Sequence, residues 1–231
     1  WGNKTDKLQK ETEAHKLIFK RGISRRIQTP LLFPNPIYYK GIGFIAYYFE
    51  DKTQTALDYI KEYGLEAFTP LYKKIVNGLY RIEFDAVSDL KELLSTFCLS
   101  NVESYATLFE CEVSHVKKLK MSNIHGDFHL RNILVGEEQE VTLIDFANSQ
   151  PGPVVVDIAK FIVDFVAFCK IKPPKSFIWE DFEANNGQEL LRVLDESLNL
   201  NEIDKKFFSI AALAFCQRYQ EYDDVSDEKK D

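Results

Sequence analysis

The chain has 231 residues, 45% of them hydrophobic and 28% charged, with a formal net charge of −7. Those values suit a globular protein with a substantial core, and the acidic balance argues against a nucleic-acid binder, which would carry a basic patch. The four cysteines (Cys98, Cys111, Cys169, Cys216) are scattered and form no CxxC pair. Each sits in helix-like apolar sequence, so buried free thiols are expected rather than disulfides or a zinc site. With no signal peptide opening the chain, the cytosol is the expected compartment. The segment from Glu221 to Asp231 holds six acids against two lysines and reads as a solvated or disordered tail. For that reason the net charge says little about any substrate.

In chain order, Thr5 to Arg21 places Leu8, Ala14, Leu17 and Ile18 among charges, an amphipathic helix. TPLLFPNPIYYK is too broken by proline for a helix and predicts strands joined by turns. GFIAYYFE, from Gly43 to Glu50, reads as a further strand. From Lys52 to Lys120 the pattern is helical. Thr69-Pro70 reads as a helix start, as do Ser88 and Ser100, and the last of these helices ends in KKLK. Ile133–Val135 and Val141–Ile144 predict a hairpin around GEEQE. The longest apolar segment, Val154 to Ile171, contains Asp157, Lys160 and Asp164, which argues for a buried helix and against a membrane span. Beyond Lys172 a Pro-Pro break precedes more helix through Gln220.

The chemistry concentrates between Ile124 and Lys160. IHGDFHLRNILV sets Asp127 five residues before Asn132. VTLIDFA ends a strand-like run at Asp145 and Phe146. PVVVDIAKFIVDF opens an apolar helix with Asp157 near its mouth. Phosphoryl transfer to a hydroxyl needs one carboxylate to orient or deprotonate the acceptor, with an amide oxygen and a second carboxylate to hold magnesium against nucleotide phosphates. Asp127, Asn132 and Asp145 match that set. Each alone reads as a turn or strand-end residue; the joint offsets carry the argument. His125 and Asp157 are expected to brace the loop, although Asp157 also suits a helix first turn for electrostatic reasons.

These segments resemble the aminoglycoside phosphotransferase and choline kinase group, in which the loop commonly reads HGDxHxxN. His125, Gly126, Asp127, His129 and Asn132 match it, and IDFA stands where protein kinases carry DFG. Ala147 replaces the glycine of DFG, and Arg131 stands where many members have a small residue. The resemblance is strong from Ile124 to Phe165, weaker from Lys10 to Asp51, and carries no motif beyond Lys170. It implies an α+β, bilobal protein-kinase-like fold: residues 1–47 as a remnant of the small mixed N-lobe and 48–231 as a larger, mainly α-helical C-lobe. It also implies ATP or GTP as donor, two magnesium ions, and a small-molecule hydroxyl acceptor of aminoglycoside, choline or sugar type.

In KETEAHKLI, the resemblance makes Glu11, or else Glu13, the glutamate that pairs with the ATP-binding lysine. Tyr47 and Phe49 would offer hinge backbone to the adenine. His129 and Arg131, on the same loop, are expected to be solvated, with contact to the phosphoryl group or the acceptor as the alternative. No phosphate-covering loop and no strand lysine precede Glu11, and Lys4, Lys7 and Lys10 lie in or beside the helix. The N-lobe is therefore expected to be truncated. An atypical protein kinase, a pseudokinase acting as a scaffold and a lipopolysaccharide-sugar kinase share enough of the pattern to stand as alternatives.

Overall fold

The structure, a computed structural model, describes residues 12–13, 37–39, 42–44, 53–80, 119–168 and 188–227. Strands β1 (Ile37–Tyr39) and β2 (Ile42–Phe44) pair antiparallel, with Tyr38 opposite Gly43. Thr12 and Glu13 are helical, with Thr12 buried and Glu13 exposed. The helical stretch expected from Lys52 onward opens instead with a strand, β3 (Gln54–Thr55). Its two residues pair with Val135 and Leu134 far along the chain, a partner that local periodicity does not reveal.

Helix α1 (Ala56–Tyr63) starts where Thr55 Oγ1 accepts the Asp58 N–H at 3.2 Å, and stops at Gly64, whose φ of +84° suits glycine. Helix α2 (Leu65–Leu79) follows directly. The expected start at Thr69-Pro70 is thus a turn late, for Pro70 lies inside the helix and Thr69 Oγ1 donates back to the Leu65 carbonyl at 3.0 Å. Pro70 forfeits a bond to the Glu66 carbonyl. Burial of Phe68, Leu71, Tyr72, Ile75, Val76 and Leu79 along one face outweighs that loss at about 1.5–3 kcal/mol per large side chain. The helix starts expected at Ser88 and Ser100 lie outside the described residues.

Strand β4 (Met121–Ile124) pairs antiparallel with β7 (Gln150–Pro153), Ile124 opposite Gln150. Neither strand was expected from sequence. Two prolines in β7 confine it to an edge. Between them run a 3₁₀ turn (Leu130–Asn132) and the hairpin of β5 (Ile133–Val135) and β6 (Val141–Leu143), as expected. Helix α3 (Val154–Phe168) is buried along most of its length, and α4 (Gln188–Leu198) and α5 (Glu202–Asp227) complete the described elements. The expected solvated tail is helical through Asp227. No helix among the described residues is long and apolar enough to cross a membrane.

The core is aromatic at its centre. Phe161 of α3 stacks on Tyr72 of α2 at 4.7 Å between ring centroids and on Phe128 at 5.1 Å. Helix α3 also packs along α5, and α2 along α4. Asp204, in the first turn of α5, accepts the Lys120 N–H at 2.9 Å and so ties the start of β4 to that helix. Burial pushes the Cys216 thiol up to about 12, which makes it an inert free thiol.

Candidate active site

Phe128 and Leu130 are fully buried, and Phe128 also meets the edge of Tyr80. The loop that carries Asp127 is thereby pinned by alternate core side chains, with Asp127 just ahead of them and His129 between them, both partly exposed. Gly126 has a φ of +79°, and a Cβ there would fall on the Asn148 carbonyl. Glycine is required on both counts.

The buried Asp157 carboxylate accepts three donors: the N–H of His125 at 2.6 Å, the N–H of Gly126 at 2.8 Å and the Tyr80 hydroxyl at 3.1 Å. Burial pushes its pKa up to about 6, against the pull of those three hydrogen bonds and of the Lys160 charge. His125 is wholly buried. Its Nε2 faces the Ile144 carbonyl at 2.9 Å and its Nδ1 faces the Asp127 N–H at 3.3 Å. A carbonyl only accepts and an N–H only donates, so the proton sits on Nε2. The ring lies 4.3 Å from that of Phe146. One imidazole therefore joins the loop of Asp127 to the segment of Asp145.

A second seam runs beside it. The Asn132 side-chain amide donates to the Asp127 carbonyl at 3.0 Å, and the Asn132 carbonyl accepts the Ile144 N–H at 3.1 Å. Committing its nitrogen to the loop turns the amide oxygen of Asn132 the other way. Ser149 closes the far side, its hydroxyl donating to the Ile124 carbonyl at 2.8 Å and its N–H to the Phe146 carbonyl at 3.0 Å. Asp145 itself is exposed with a φ of +62°. Such backbone is uncommon outside glycine, asparagine and aspartate, and a strained residue of this kind often marks a working site.

The Asp127 carboxylate has a basic neighbour at each oxygen. Lys160 of α3 donates to Oδ1 in an ion pair, and His129 Nε2 stands 3.8 Å from Oδ2. Burial would raise the Asp127 pKa, but the hydrogen bond and charge of Lys160, with smaller help from His129 and His125, bring it below the ordinary value. His129 Nδ1 accepts the Arg131 N–H at 3.2 Å, leaving its proton on Nε2 toward Asp127. Burial lowers the His129 pKa, opposed by the charges of Asp127, Asp164 and Asp145. His129 is thus a half-buried neighbour of Asp127 and not the solvated residue expected, whereas Arg131 is exposed.

Glu11, Tyr47 and Phe49 lie outside the described residues. Among those described, no three His, Cys, Asp or Glu side chains converge into a metal cage. Magnesium asks for none: it takes one or two carboxylates together with waters and phosphates. An exposed carboxylate at Asp145 and the amide oxygen of the buried Asn132, opposite the nitrogen that holds the loop, fit that demand. Lys160, Asp164 and Tyr80 were missed as site residues. Their signal was present in part, since Asp157, Lys160 and Asp164 interrupt an apolar helix at helical spacing.

The sequence model of the phosphotransferase enzyme family, whose short name is APH, matches residues 87–176, the stretch that carries all of these loops. No curated protein matches the sequence. The fold is similar to that of the crystal structure of an aminoglycoside-3′-phosphotransferase of type VIII, with a TM-score of 0.56 and 13% identity over 91% of this chain and 81% of that one. A glucosamine kinase aligns at 0.53 and 12% over 91% of this chain and 64% of its own. An ethanolamine kinase of Plasmodium vivax aligns at 0.50 and 17% over 90% and 65%. The chain therefore spans less than two thirds of the length of those two kinases. The fold is the protein-kinase-like fold of the aminoglycoside phosphotransferase and choline kinase group, and the resemblance to that group holds in both sequence and fold.

Proposed function

We propose that the protein transfers the γ-phosphoryl of ATP or GTP to a hydroxyl of a small molecule in the cytoplasm. The reading is supported above all by His125, which binds the Asp127 loop and the Asp145 segment to each other through Ile144 and Phe146. Independent turn aspartates would have no reason to be clamped together in this way.

In this reading Asp127 orients the acceptor hydroxyl and takes its proton, as its ionised state at neutral pH allows. Asn132 and Asp145 hold magnesium, which when bound neutralises charge on the nucleotide phosphates. His125 and Asp157 keep the loop in place, Asp157 through backbone N–H groups and His125 through its two ring nitrogens. Glu11 would pair with the lysine that binds the phosphates, and the backbone of Tyr47 and Phe49 would meet the adenine. Residues 1–47 would then belong to the small lobe and 48–231 to the large one. Catalysis of this kind rests on positioning and electrostatics, and the hydrogen bonds around Asp127 serve the first.

The test is Asp127→Asn, assayed with magnesium-ATP and magnesium-GTP against a panel of aminoglycosides, amino alcohols and amino sugars. Turnover is expected to fall about 100-fold or more, while nucleotide affinity measured by calorimetry stays near that of the wild type. A variant that turns over like the wild type would remove Asp127 from the role.

A further inference from the structure

Helix α3 presents a row of polar residues to the loop. Asp157, Lys160 and Asp164 are three and four residues apart, which places them on one helix face. They meet the loop in the order of its own sequence. Asp157 takes the N–H groups of His125 and Gly126, Lys160 binds the Asp127 carboxylate, and Asp164 takes the Leu130 N–H at 3.1 Å. The two aspartates hold backbone, whereas Lys160 holds a side chain. Its ammonium also stands 5.9 Å from the centroid of the Phe215 ring on α5, a favourable approach of cation to ring. Two helices therefore fix the place of this charge.

We infer that Lys160 is a positioning residue of the phosphoryl-transfer site, aiming the Asp127 carboxylate at the acceptor hydroxyl and keeping a positive charge beside the reacting oxygen. The inference rests on the phosphotransferase reading above. An acceptor hydroxyl served by Asp127 must come within about 2.6–3.2 Å of that carboxylate, and the ammonium is bonded to the same group. A carboxylate on a short side chain has two rotatable bonds; the ion pair on Oδ1 removes that freedom before the acceptor arrives, so less ordering remains for the reaction to achieve. Asp157 and Asp164 cannot substitute for it, since both are acceptors occupied with the loop backbone.

The experiment compares Lys160→Met, Lys160→Arg, Asp127→Asn and the double variant Lys160→Met/Asp127→Asn in the full chain. Phosphoryl transfer from magnesium-ATP and magnesium-GTP is followed to glucosamine, ethanolamine, an aminoglycoside and water, with thermal unfolding in parallel. Lys160→Met is expected to lower kcat about 10- to 100-fold, with the nucleotide KM unchanged within about twofold. Lys160→Arg should recover most of the loss. The double variant should be no slower than Asp127→Asn, because the lysine acts through that carboxylate. Lys160→Gln serves the same comparison should the methionine variant fold poorly. Wild-type kcat in Lys160→Met, an arginine variant as slow as the methionine one, or losses that multiply in the double variant would each overturn the assignment. A wild type that transfers phosphoryl to none of the acceptors and not to water overturns the phosphotransferase reading and this role with it. An active wild type indifferent to Lys160→Met overturns the role alone.

Discussion

Gly126 donates its backbone N–H to Asp157 at 2.8 Å across 31 positions of sequence, and it does so with a φ of +79°. The N–H of His125 reaches the same carboxylate, and the positive φ of Gly126 turns the chain onward into Asp127. Only a glycine takes that φ here without its side chain striking the Asn148 carbonyl.

Gly126→Ala should therefore lose stability on two counts, the positive φ and the collision with Asn148. Roughly 1–3 kcal/mol belongs to a residue held in such a sparsely populated region, and the collision adds to it. Urea unfolding measures the sum. An alanine variant as stable as the wild type would show that the loop relaxes freely around the substitution.

Asp157 should make stability depend on pH. Its pKa is raised from an ordinary 3.8 to about 6 by burial, so between those values the folded protein keeps a proton that the unfolded chain has released. This contribution is fully present below about pH 4 and fades as pH rises through about 6. It amounts to about 3 kcal/mol at roughly 1.4 kcal/mol per pH unit. Denaturant unfolding of the wild type and of Asp157→Asn from pH 4 to pH 8 isolates it. The wild type should lose ground to the variant over that window, and a pH-independent difference would contradict the raised value.

Tyr80→Phe removes one of the three donors to that same carboxylate. Losing a hydrogen bond to a charged acceptor costs about 1.5–3 kcal/mol. The loss should be greatest above pH 6, where Asp157 is ionised, and smaller at pH 4. Thermal melts at the two pH values give the comparison, and an equal loss at both would assign the hydroxyl's contribution to packing.

Asp145→Ala should leave the fold intact, since the residue is exposed, yet abolish the magnesium dependence of nucleotide binding. Removing a side chain that tolerates φ +62° adds some strain, so Asp145→Asn serves as a second variant that keeps the backbone preference. Calorimetry with and without magnesium decides the matter. An affinity that still depends on magnesium in both variants would remove Asp145 as a ligand.

The sequence by itself determined the fold class and singled out the candidate segment for the chemistry. HGDFHLRN, IDFA and the hairpin between them are local patterns, and offsets within a loop survive whatever surrounds them. The buried helix from Val154 was equally legible, because a long apolar run with turn residues before it leaves few other outcomes. Tertiary structure decided the rest. The pairing of β4 with β7 and of β3 with β5 joins segments far apart, and short strands carry too little periodicity to announce their partners. Pro70 reads locally as a helix start, but the buried face of α2 carries the helix past it. Most of all, Lys160 looked like a charge interrupting an apolar helix. It became the partner of Asp127 only when Phe128 and Leu130 sank into the core and laid the loop along the polar row of α3. A carboxylate's chemistry can be inferred from its neighbours in sequence, but its ion pair is set by which helix the packing brings against it.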